Sequence, residues 1–171
     1  MRAKLTISAL TLFSGVASAQ TVDVGVELPR LRVAEYHRPY VAVWISHPDH
    51  TVAANLAVWY QQEAGPEGKG ETWLKDMRQW WRRTGRSLEM PVDGVSMPTR
   101  PPGDYTLSFS SDDTPLSTLE EGEYILHVEA SREVGGREMV SIPFNWSPET
   151  SVDLSDAGES ELGSVSLSIR P

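Results

Sequence analysis

The sequence predicts an all-β chain, an immunoglobulin-like antiparallel β-sandwich with one short crossing helix. Three observations carry this expectation. Seven short stretches alternate apolar and polar residues with a period of two, breaks containing Gly, Pro and Asp separate them, and one segment alone has its apolar residues at helical spacing. A period of two sends alternate side chains to opposite faces of a strand, so each strand can bury one face against a second sheet and leave the other wet.

In chain order the strands are expected over residues 21–28, 40–46, 54–60, 104–110, 124–131, 137–146 and 164–170. In the second, Val41, Val43 and Ile45 face one way and Ala42, Trp44 and Ser46 the other; in the sixth, Met139 and Ser141 oppose Val140 and Ile142. Pro143 has no N–H to donate, which places its strand at an edge or a bend. His47-Pro48-Asp49-His50 and Gly135-Gly136 predict hairpin turns, and residues 63–70 a loop rich in Gly, Pro and charge. Residues 153–161 are acidic and polar and read as a mobile loop before the last strand. The helix is expected over residues 73–83, where Trp73, Leu74, Met77, Trp80 and Trp81 recur on one side, Thr72 can cap the start and Gly85 can end the last turn. It is placed as a crossing between the sheets.

Residues 1–19 are expected to be a secretory signal peptide. Arg2 and Lys4 make a basic start, residues 5–16 are apolar, and Ala17-Ser18-Ala19 before Gln20 fits a small-x-small cleavage pattern. The apolar run is far shorter than the roughly 20 residues of a membrane-spanning helix, so no membrane insertion is expected after its removal. Residues 20–171 then form a single domain, and its destination is the periplasm of a Gram-negative cell. With Arg2 and Lys4 gone the formal charge passes from −9 to −11. That excess of acid argues against nucleic-acid binding and against adhesion to anionic lipid, both of which would repel it. The chain has no cysteine, which removes thiol chemistry, iron–sulfur ligation and cysteine zinc sites and leaves the core to hold the fold without disulfides. Asn145-Trp146-Ser147 is a glycosylation sequon only in a eukaryotic secretory path.

No nucleophile elbow, phosphate loop, zinc helix or calcium loop is present. The acid pairs Asp112-Asp113 and Glu120-Glu121 fall in turn-like stretches, and no catalytic residue is predicted. His47 and His50 flank Asp49, with His37 near in sequence; a turn rich in Pro and Asp explains them, and no metal site is predicted there or at His127, alone in a strand.

Two segments stand out. Between residues 73 and 86, Lys75, Arg78, Arg82, Arg83 and Arg86 face only Asp76. Cations there suit the negative end of a helix dipole. Alternatively Arg82, Arg83, Trp80 and Trp81 form an anion or ligand site, since guanidinium forks bind phosphate or carboxylate and indole faces stack on aromatic ligands; the tryptophans also suit a core. The second segment is residues 93–105, where Pro98, Pro101 and Pro102 make the chain stiff and extended. It is expected to hold Thr99 outward with Arg100 beside it to neutralise a phosphate, or else to be an ordered connector.

The stretches Pro39–Ile45, Leu56–Trp59, Trp73–Asp76 with Trp80, Val92–Ser96, Thr99–Gly103, Gly122–Tyr124 and Val128–Glu133 together resemble the bacterial periplasmic family of the domain of unknown function 2271, over about residues 22–146. The resemblance implies a β-sandwich. It also implies a loop similar to the Asp-x-x-Ser-Gly-Ala-Thr signature at which a flavin transferase cuts magnesium-bound FAD and esterifies FMN to threonine. Asp93, Ser96 and Thr99 match that signature, and Met97-Pro98 stands where Gly-Ala would give the transferase close backbone access. The implied partners are the transferase and membrane proteins of electron transfer or iron uptake. Two functions follow from this reading: a non-catalytic accessory or binding protein for such partners, or an electron carrier with FMN on Thr99 and the flavin near Trp80, Trp81 and the arginines. A hydrolase or lectin acting on envelope saccharides is a third, motivated by the tryptophans alone.

Overall fold

The computed structural model describes residues 19–65 and 68–171; the predicted signal peptide, but for Ala19, lies outside the described residues. Among these residues the strands are β1 (Thr21–Leu28), β2 (Tyr40–Ser46), β3 (Val52–Tyr60), β4 (Ser96–Pro98), β5 (Gly103–Ser110), β6 (Gly122–Ser131), β7 (Arg137–Trp146), β8 (Val152–Ala157) and β9 (Ser164–Arg170). They form a four-stranded sheet of order β5-β1-β9-β8 and a five-stranded sheet of order β4-β3-β2-β6-β7. The all-β sandwich expected from the alternation is present. Every ladder is antiparallel except β3 with β4.

All seven expected strands form, and two more join them. β8 takes up residues 153–157 of the expected mobile loop, pairing with β9 from Val152↔Ile169 to Ala157↔Ser164, and the remainder of that stretch stays a loop. Only Val152 and Leu154 pack toward the core, because β8 is an edge strand with its other face wet. β4 lies in the proline-rich segment, paired in parallel with β3 at Val58↔Ser96, Trp59↔Met97 and Tyr60↔Pro98. Pro98 is tolerated there because the strand is an edge and the proline is its last residue. Pro143 likewise sits in β7, at the opposite edge of that sheet.

Val41, Val43 and Ile45 point between the sheets, where they meet Val22, Val24 and Val26 of β1 and Leu126 and Val128 of β6. Ala42 and Trp44 point to the outer face, with Val58 and Tyr60. A strand apolar on both faces needs cover on both sides, and the helical segment supplies it: Leu74, Met77 and Trp80 close over that outer face. The segment therefore does not cross between the sheets. It connects β3 to β4, neighbours in one sheet, and lies upon them.

The predicted single helix is three pieces: a 3-10 helix Gly70–Asp76, the helix α1 (Arg78–Arg83), and a 3-10 turn Gly85–Ser87. Thr72 caps nothing, and the residue before α1, Met77, has no side-chain cap. The cap comes from the sheet instead. Glu129 of β6, fully buried, accepts the Gln79 N–H at 3.1 Å on each oxygen and the Trp80 N–H at 2.8 Å. A carboxylate at a helix start answers both the unpaired N–H groups and the helix dipole.

Gly85 is glycine because of Trp80: a β-carbon would lie 2.7 Å from Cε3 and 2.8 Å from Cη2 of the indole. Gly85→Ala is expected to cost about 1–3 kcal/mol by forcing that ring to move, read as a lower midpoint in thermal unfolding. An unchanged midpoint would contradict the close packing.

Two carboxylates fasten the loop before β9. Glu161 pairs with Arg132 at 2.9 and 3.0 Å and accepts the Gly136 N–H at 2.7 Å. Glu138 accepts the N–H groups of Glu159, Ser160 and Leu162 at 2.5, 3.1 and 2.9 Å. Burial pushes the Glu138 carboxyl up, but those backbone donors outweigh it and hold it below the usual range.

Candidate functional site

One end of the five-stranded sheet gathers several chain segments. β2 begins there, β3 and β4 end there, and the β6–β7 hairpin turns there, as the pairings Val41↔Trp59, Tyr40↔Ser131 and Tyr60↔Pro98 require. With the 3-10 helix Gly70–Asp76 and the start of α1 laid over the outer face, these ends enclose a cavity of about 760 Å³. That volume is in the range of small-molecule sites.

The wall carries four arginines, Arg38, Arg78, Arg132 and Arg137, together with Asp76 and Glu133. Arg132 is held by Glu161, and Arg137 by Glu129 at 3.0 Å. Among the described residues neither Arg38 nor Arg78 forms an ion pair. His37 lies 3.3 Å from Glu35 and 3.5 Å from Glu133. Burial pushes the Tyr40 phenol up, and a hydrogen bond from the Gln61 backbone opposes that shift without cancelling it. Gly70 lets the chain lie close here, since a β-carbon would sit 2.7 Å from the Tyr40 hydroxyl and run into the Gln61 carbonyl.

At the rim Trp73 is 41% exposed and Val134 84% exposed. Val134 has φ 52°, a left-handed conformation that a β-branched residue rarely adopts. The turn that Gly135-Gly136 predicted thus places its strained residue one position earlier, at the cavity mouth. Such a site can hold an anionic group by the guanidinium wall and an aromatic one against Trp73.

Thr99 is in this wall, half-buried, one residue beyond β4. It is not on a free outward loop, because sheet pairing carries the chain up to it. Ser96 Oγ accepts the Val92 N–H at 2.9 Å, bracing the turn that holds exposed Asp93 and Gly94 at φ 72°. Arg100 does not line the cavity. Its guanidinium lies 4.8 Å from the Trp59 ring centroid and 4.9 Å from that of Tyr105, so cation–π packing fixes it away from the expected phosphate role.

The four residues expected to form an anion site are spread apart by α1. Trp80 is fully buried, its Nε1–H donating to Asn55 Oδ1 at 2.9 Å, and offers no ring face to a ligand. Arg83 donates to the His50 carbonyl at 3.2 Å. Half-buried Trp81 and exposed Arg82 line a second, shallower hollow.

His127 stacks on Trp44 with centroids 4.9 Å apart, and its two nitrogens lie 2.9 Å from Ser46 Oγ and 2.8 Å from Ser141 Oγ. Ser46 is fully buried, among the described residues no acid orients the imidazole, and the arrangement is a core network. No group of three or more His, Asp or Glu able to hold a metal lies among the described residues.

The sequence reading did not single out Arg38, Tyr40, Trp73, Arg132 or Arg137. Arginines flanking the Gly-Gly turn were the available signal, but only the sheet topology brings them beside Arg38 and Thr99. Among the described residues no helix is long and apolar enough to cross a membrane. A family model, that of the domain of unknown function 2271, described as a predicted periplasmic protein, matches residues 21–164. No curated protein and no solved structure matches the chain.

Proposed function

Since the chain belongs to the periplasmic family of the domain of unknown function 2271, we propose that it is a non-catalytic binding protein that presents a ligand from its arginine-walled cavity to a membrane partner of electron transfer or iron uptake. The observation that carries this reading is the cavity itself, with its size, the unpaired Arg38 and Arg78 in its wall among the described residues, and its aromatic rim. Removal of residues 1–19 on export belongs to the same reading. It is supported by Gln20, the residue that cleavage would leave first, which is buried, with its backbone N–H donating to Ser111 Oγ at 2.9 Å and its side-chain amide donating to the Thr150 carbonyl at 2.8 Å.

A second reading is favoured by the position of Thr99: FMN esterified to its hydroxyl, making the chain an electron carrier. The fit rests on a half-buried threonine in the wall of a cavity large enough for the group. Thr99 Oγ1 would attack the FMN phosphorus of FAD held with magnesium on the transferase. The new P–O bond forms as the pyrophosphate bond breaks, AMP leaves, and the hydroxyl proton passes to a base of the transferase; nothing is oxidised. An attached flavin would supply electron transfer, and Arg38, Arg78 and Trp73, in the same cavity lining as Thr99, are the residues that would hold it. Met97-Pro98 is the strand that the transferase would have to approach from the open edge of the sheet.

Mass spectrometry tests both readings. Protein recovered from a periplasm that also contains a flavin transferase is expected to carry, after denaturation, one FMN less water, and Thr99→Ala to lose it. An unmodified chain beside a control acceptor that is modified would end the carrier reading. Under native conditions a non-covalent ligand is expected that is lost on Arg78→Ala; no adduct of either kind would end the binding reading.

A further inference from the structure

We propose that the second hollow, beside the cavity, is an anion-binding shelf for the phosphate or pyrophosphate group of a soluble organic ligand. The hollow measures about 400 Å³ and is lined by Lys75, Arg78, Gln79, Trp81, Arg82 and Arg137. Four cations therefore converge with no carboxylate in the lining, on a protein with 24 acidic and 15 basic residues. Among the described residues only Arg137 has an acidic partner, Glu129 at 3.0 Å, while Lys75, Arg78 and Arg82 form no ion pair.

Like charges lining one hollow repel one another, and a multivalent anion relieves that repulsion while giving each guanidinium an acceptor of the shape it fits. Gln79 accepts from Arg82 Nη2 at 3.0 Å, which steers that guanidinium. Lys75 Nζ lies 5.6 Å from the Trp73 ring centroid, a contact that leaves its N–H groups free for an anion. The half-buried ring of Trp81 adds a flat apolar face, so the ligand class is an organic phosphate rather than the bare ion. Arg78 and Arg137 line both hollows. A ligand with its ring in the cavity and its phosphate on the shelf spans the two. The shelf does not need Thr99 or its modification, so it can fail or stand apart from the flavin reading.

Titration calorimetry of the domain from Gln20 onward with inorganic pyrophosphate tests the shelf. One site is expected, with affinity that falls as salt rises. Lys75→Ala and Arg82→Ala are each expected to weaken it roughly tenfold or more, the loss of one charge-assisted hydrogen bond. Both side chains are exposed, and unchanged circular dichroism shows that the variants fold. Arg86→Ala, which removes the same charge from an exposed position outside the hollow, is expected to alter affinity less than about twofold. Absence of binding overturns the shelf, as does equal weakening by Arg86→Ala, which would mean a diffuse field. A larger loss on Arg38→Ala than on either shelf variant overturns it by placing the anion in the cavity. Sedimentation with phosphatidylglycerol vesicles without pyrophosphate binding overturns the soluble ligand in favour of a lipid headgroup.

Discussion

Replacing Glu129 by alanine is expected to lower the stability of the domain by about 3–5 kcal/mol, the range seen when one member of a buried charged network is removed. The carboxylate is fully buried between β6 and α1 and has three partners: the Gln79 and Trp80 N–H groups and the Arg137 guanidinium. Without it, two backbone donors are stranded at a helix start and a partly buried cation loses its counter-charge. For a domain of this size each kcal/mol moves the melting temperature by about 2–4 °C, so a fall of about 10 °C is expected in thermal unfolding. Glu129→Gln keeps the shape and one acceptor and should fall between wild type and Glu129→Ala. A loss below about 1 kcal/mol in Glu129→Ala would show that water or another group replaces the cap. Arg78 opens α1 and Arg137 pairs with the same carboxylate, so Glu129 also sets two cations of the cavity wall.

Acidification is expected to remove about 3 kcal/mol of stability through His127 alone. Burial, then the nearby charges of Arg83 and His50, lower its pKa from 6.5 to about 4. The Ser46 hydroxyl donates to the His47 carbonyl at 2.9 Å, so it accepts from Nε2–H, and Nδ1 accepts from Ser141. A second proton finds Nδ1 facing a donor, against the Trp44 ring and beside Arg83. The unfolded chain takes up this proton near pH 6.5 and the folded chain only near pH 4. The contribution is therefore complete above about pH 6.5 and is lost as pH falls from there towards 4, at 1.36 kcal/mol per unit of pKa difference. Urea unfolding at a series of pH values should show this decline, and His127→Gln should flatten it. The same slope in the variant would assign the acid sensitivity to other groups.

Strand positions were legible because the alternation in Val22-Val24-Val26, Val41-Val43-Ile45 and Leu126-Val128 is the direct imprint of one buried face. The place of the helical segment was legible in part. Ala42 and Trp44 make the second face of β2 apolar, which calls for a covering layer, but nothing local in the sequence says which segment supplies it. β4 stayed hidden because three residues ending in proline carry no periodicity, and β8 because an edge strand with one wet face looks like a loop. Thr99 was singled out by a family motif, whereas Arg38, Arg132 and Arg137 became a wall only when the sheet brought residues about a hundred positions apart to one end. Trp80 shows the limit of reading a helix as a cluster, since successive residues at 100° steps point from core to solvent within one turn.

All four outer strands share one property. Pro98 closes β4, Pro143 interrupts β7, and exposed acids mark β5 at Asp104 and β8 at Asp153 and Asp156. An unguarded strand border is a template on which a second chain can crystallise its own backbone, the first step toward fibrils. A polypeptide with no cysteine, and so no disulfide to lock it, gains from borders that refuse such templating. The sequence thus carries protection against self-assembly in the same few residues that end its sheets.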